Sequence, residues 1–177
     1  MYKLVIILIT LLFVCSCETN PTLQKYYVKN TESADFVSID LAPSIINTGK
    51  IKLTSEEKAA LQSFDKMNIL AFKSDSTQLE KYNKEISEVK SILKDDSYQQ
   101  LMKAGSGSDG AAIYFVGNDD EHIEEFVVLA GKKENGFAVV RVLGNDMNPT
   151  HIMNMLKLLQ KSNVDLEQLK PLQQLMK

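Results

Sequence analysis

The chain has 177 residues, 44% of them apolar, and carries 20 basic against 23 acidic side chains for a net charge of −3. This is the size of one ordinary domain with enough apolar content for a core, and the charge balance gives no support to nucleic-acid binding. Both cysteines, Cys15 and Cys17, lie near the start of the chain, so residues further on can form no disulfide, cysteine nucleophile or thiolate metal site.

Met1–Tyr2–Lys3 is a short basic start, followed by an apolar run from Leu4 to Val14. Eleven residues suit the apolar region of a signal peptide, whereas a spanning helix needs about 20. Val14–Cys15–Ser16–Cys17 then reads as a lipobox, and the chain turns polar at Glu18–Thr19–Asn20–Pro21. Cleavage ahead of Cys17 places small Ser16 at the cut, whereas cleavage ahead of Cys15 would place bulky Val14 there. We therefore expect residues 1–16 to be a lipoprotein signal peptide. Cys17 is the expected lipidation site, residues 17–22 the tether, and residues 23–177 a single domain. One acyl chain binds a membrane only marginally, and two or more hold firmly. An acylated Cys17 would thus make the lipid bilayer the first partner of an otherwise soluble domain.

Leu23–Tyr27 suggests one or two helical turns. Val37, Ile39 and Leu41 alternate along Phe36–Leu41, which predicts a strand. Thr54–Ser55–Glu56–Glu57 is a capping box opening a helix through Phe64. Asn68–Phe72 has the length and apolarity of a strand. Thr77–Gln78–Leu79–Glu80 reads as a second capping box. It starts a long helix with Leu79, Tyr82, Ile86, Val89 and Leu93 on one stripe. After a pause at Asp95–Asp96–Ser97, Tyr98, Leu101 and Met102 read as that helix resuming. Gly105–Gly110 reads as a flexible loop. Ala111–Val116, Ile123–Ala130 and Phe137–Leu143 read as a meander of strands. Asn148–Pro149 places an N-cap before a helix-starting proline, and Ile152, Met155, Leu156 and Leu159 form the apolar stripe that follows. A last helix is expected from Asp165, carrying Leu169, Leu172 and Leu175.

Partial segregation of strands and helices predicts an α+β fold, with a single largely antiparallel sheet of four to five strands and helices packed on it. The order and spacing of Tyr98–Gln99–Gln100–Leu101–Met102, Ile113–Tyr114–Phe115, Ile123–Leu129 and Val140–Gly144 resembles a family of small bacterial lipoproteins, the domain of unknown function DUF4252. The resemblance implies an envelope lipoprotein and brings no catalytic residues with it.

The remaining chemistry is sparse. Gly105–Ser106–Gly107–Ser108–Asp109–Gly110 has dinucleotide-fingerprint spacing, but the expected order is helix before and strand after, the reverse of what pyrophosphate binding requires. His122 and His151 form no short ligand pair. If the meander forms, Gly117–Asn118–Asp119 and Gly144–Asn145–Asp146 fall on one edge of the sheet, and Asp119, Asp120 and Asp146 could converge on calcium. The competing explanation is two solvated turns. Arg141 is the sole arginine and sits in an apolar strand. It should pair with Glu124 or Glu125 on the neighbouring strand, or else line an anion site. Asp75–Ser76–Thr77 resembles a short bacterial O-glycosylation motif, with Ser76 as acceptor.

These features favour a cell-envelope lipoprotein on the outer membrane, facing the periplasm, with a non-enzymatic binding or interaction module and no cofactor. An envelope protein is a further expected partner. The alternative is a hydrolase-like envelope enzyme that uses acidic residues and Arg141.

Overall fold

The computed structural model describes residues 21–46, 48–74, 77–106 and 109–161. Cys17, the signal segment, Ser76 and the expected last helix lie outside these described residues. The elements run α1 (Leu23–Asn30), β1 (Phe36–Leu41), two 3-10 turns, α2 (Ser55–Ser63), β2 (Phe64–Lys73), α3 (Leu79–Ile92), β3 (Gln99–Ser106), β4 (Asp109–Gly117), β5 (Ile123–Lys132), β6 (Gly136–Met147) and α4 (Pro149–Lys161). The six strands form one open sheet in the order β1-β2-β6-β5-β4-β3, and every neighbouring pair is antiparallel. The fold is α+β, with six strands where four to five are expected.

The added strand is β3, which replaces the expected resumption of the long helix. Asp95 accepts from the backbone and hydroxyl of Ser97, and this turn stops the helical path. β3 is an edge strand with a bulge between Gln100 and Met102, so its side chains lack the clean alternation that marks a strand in sequence. Gly105–Gly110 is not a free loop either, because Gly105 pairs with Gly110 and Ser106 with Asp109. The Thr54 capping box forms as expected, with Glu57 N–H donating to Thr54 and Thr54 N–H donating to Glu57. At the expected second box, α3 begins at Leu79 with Gln78 in the N-cap position, one residue later than the box places it, and the Gln78 side chain makes no cap bond. Asn148 caps α4 by accepting from His151 N–H.

Alternation along the strands gives the sheet two apolar faces, each covered by two helices. On one face Phe36, Leu70, Phe72, Val127, Leu129, Phe137 and Val139 pack beneath Leu23, Tyr26 and Tyr27 of α1 and Tyr82, Ile86 and Val89 of α3. Aromatic rings lock this layer: Phe72 stacks on Phe137 at 5.6 Å between centroids, and Tyr82 meets Phe137 edge-on at 5.8 Å. On the other face Ile39, Ile69, Phe115, Phe126 and Val142 pack beneath Ala60 of α2 and Met155 and Leu158 of α4. Lys161 of α4 donates to Glu57 of α2 at 2.6 Å, tying the two helices together.

Two helices side by side, at about 8–10 Å between axes, cover about four strands at about 4.8 Å spacing. Over the first face, α1 and α3 lie on β1, β2, β6 and β5. The strands β4 and β3 extend past them as a ledge. One of the described helices would have to be long and apolar to cross a membrane, and none is.

Candidate functional site

Arg141 rises from β6 on the α1 side of the sheet. Glu125 stands diagonal to it, since Val127 is the residue directly opposite. The Arg141 side chain is buried and that of Glu125 nearly so, at 6% and 12% exposure, and the carboxylate grips the guanidinium with two bonds, Nε–Oε1 at 2.6 Å and Nη2–Oε2 at 3.0 Å. Gln24 of α1 takes a third bond at 2.6 Å, and the Tyr27 ring lies 5.3 Å from the guanidinium carbon. Burial works against the cation, and Glu125 more than offsets it, leaving the Arg141 pKa raised. The arginine is therefore held as a structural ion pair, and the alternative of an open anion site at this position is set aside. Glu124 is exposed and is not the partner.

The acidic turn has a different use from the one expected. One oxygen of Asp119 accepts from the backbone N–H groups of Glu121 and His122, both at 2.9 Å, and meets the His122 ring at 2.8 Å. The His122 ring holds the Asp119 carboxyl below its usual range, and Asp119 in return raises the His122 pKa. The second Gly–Asn–Asp is no turn: it continues β6, with Asp146 at φ 53°. Asp119, Asp120 and Asp146 do not build a calcium site, and no group of three or more His, Cys, Asp or Glu side chains is placed to hold a metal among the described residues.

The ledge left by α1 and α3 forms a cleft of about 420 Å³. Its wall is the flank of α3, carrying Ile86 and Lys90, and the turn that follows, carrying Leu93 and Lys94. Its floor is Ala112 and Tyr114 of β4 with Leu129 of β5, and its far rim is Gln100 and Lys103 of β3. Pairing explains the arrangement. Lys103 lies opposite Ala112, and Ala112 opposite Leu129; Gln100 lies opposite Tyr114. All of these side chains share the face that α3 covers only in part. Small residues keep the space open. Gly131 lets α3 sit close, since a Cβ there would stand 3.1 Å from the Tyr82 hydroxyl and 3.3 Å from Ile86 Cδ1. The volume falls in the range of small-molecule sites, and an apolar floor with a few polar groups at the rim is their usual chemistry.

Sequence reasoning misses this cleft. Lys90, in the last turn of α3, and Lys94, just past its end, stand four apart in sequence, and that spacing is the available signal. Lys103 joins them only through β3, which the sequence disguises.

The family model for a domain of unknown function, DUF4252, matches residues 26–171. No curated protein matches the chain, and no solved structure does. The matched stretch takes in all six strands and most of the described helical residues, and the chain belongs to the DUF4252 family.

Proposed function

We propose that this protein is a cell-envelope lipoprotein, held by an acylated Cys17 on the outer membrane and facing the periplasm. Its domain is a non-enzymatic binding module whose ligand occupies the cleft between α3 and the β3–β4 ledge. The cleft itself is the observation that carries this reading: an apolar floor, a polar rim and about 420 Å³ of space. The state of Arg141 supports binding over chemistry, because all three of its nitrogens are engaged by Glu125 and Gln24 in the buried layer. The bacterial lipobox pattern at Val14–Cys17 supports the anchor.

Ala112→Leu tests the binding reading. The added side chain projects from the floor and fills the cleft. The full chain, held in phosphatidylcholine nanodiscs, is offered N-phenyl-1-naphthylamine, an uncharged aromatic probe, and hydrogen exchange is followed by mass spectrometry. The probe should slow exchange in residues 86–94 and 100–114, and Ala112→Leu should remove that protection while the rest of the domain exchanges as before. Equal protection in both proteins, or none in either, contradicts the reading.

A further inference from the structure

We infer that the cleft selects an amphiphilic anion, a carboxylate, sulfonate or phosphate joined to an apolar body of moderate size. This inference rests on the binding reading above and names its ligand class.

The chemistry of the walls divides sharply. The floor is apolar, with Leu129 and Ala112 buried, and the Leu93 side chain closes the inner wall. The rim is cationic. Lys90 comes from the last turn of α3, Lys94 from the turn just past its end, and Lys103 from β3 across the cleft. Three lysines thus line one opening of about 420 Å³, and among the described residues Asp109 is the only acidic side chain along it. One Asp109 oxygen already accepts the Lys133 backbone N–H at 2.8 Å. The local sign is the reverse of the whole chain, whose net charge is −3. Generic surface charge therefore does not account for this concentration of lysine at a concave site. A cation would meet three like charges at the rim, and a fully polar anion would leave the apolar floor wet. A ligand with an anionic head on the lysines and an apolar body on Leu129, Ala112 and the Tyr114 ring satisfies both surfaces.

The anchor proposed above places such ligands within reach. The stretch from Cys17 to Leu23 spans at most about 20 Å when extended, so the cleft would stay beside a bilayer, where amphiphiles collect. Two sources share this chemistry, a free amphiphile and an anionic lipid still in its bilayer.

The test uses the full chain in phosphatidylcholine nanodiscs and two probes of similar shape, 8-anilinonaphthalene-1-sulfonate and uncharged N-phenyl-1-naphthylamine. Hydrogen exchange in residues 86–94 and 100–114 is the readout. The sulfonate should protect these segments at lower concentration than the neutral probe. K94Q with K103Q should weaken the sulfonate about tenfold and leave the neutral probe within about twofold. Added salt should act in the same direction as the double substitution. If both probes protect equally and the double substitution changes neither, the anion preference is overturned and the cleft reading survives. If neither probe protects, both are overturned. Competition then separates the sources: decanoate displaces the sulfonate if free amphiphiles bind, whereas phosphatidylglycerol in the nanodisc displaces it if bilayer lipids do.

Discussion

Arg141 is the one buried cation among the described residues. Its charge and that of Glu125 are both nearly removed from water, and two bonds at 2.6 and 3.0 Å to Glu125 with a third to Gln24 engage three of the five guanidinium N–H groups. Breaking such a pair strands a buried charge, whereas replacing both partners by apolar groups is often neutral. Arg141→Met alone should therefore destabilise the full chain by about 3 kcal/mol or more. Arg141→Met combined with Glu125→Leu should recover most of that loss, as measured by urea unfolding. A double variant no more stable than the single one would mean that the guanidinium matters through its packing on Tyr27 and not through the pair. The pairing itself was open to sequence reasoning, because a lone charged residue in an apolar strand calls for a partner on the neighbouring strand. Register decides which glutamate serves, and only the folded sheet sets the register.

Elements form where local chemistry and packing agree. The Thr54 box opens α2 and also places Glu57 where Lys161 of α4 can reach it. The Lys161 ammonium, then the Thr54 backbone, hold the Glu57 carboxyl below its ordinary value. A carboxyl lowered on folding contributes stability that is present above the unfolded value and lost as pH falls through the folded one. The α2–α4 tie should thus loosen in acid. Lys161→Met should flatten the fall of stability below about pH 4, read from unfolding curves across the acid range; an unchanged slope would place the acid response elsewhere. The Phe36–Leu41 alternation and the Asn148–Pro149 start are equally local, and sequence alone finds them. β3 is the counterexample. Its Leu101 and Met102 are exposed, at 43% and 55%, and a bulge interrupts its register, so neither helical nor strand periodicity survives. Its place is fixed by pairing with β4 and not by its own pattern.

At the scale of the whole molecule, the cleft follows from a mismatch of widths. Six strands make a broader sheet than two helices can cover, and the uncovered margin on the α1–α3 face becomes the cleft. Nothing in the local sequence of β4 announces this, since Ala112 and Tyr114 look like ordinary strand residues. The site exists because α3, β3 and β4 meet, with Gly131 permitting the close seat of the helix. The central claim is that this margin holds an amphiphilic small molecule in the cell. It is tested most directly by placing the photoreactive residue p-benzoylphenylalanine at Gln100 on the cleft rim, and at exposed Val28 on α1 as the control. After irradiation of intact cells, the mass of the purified chain is measured. The account predicts an adduct the size of a lipid or smaller at Gln100 and none at Val28. Irradiation that leaves Gln100 unmodified, or labels both positions alike, would contradict it.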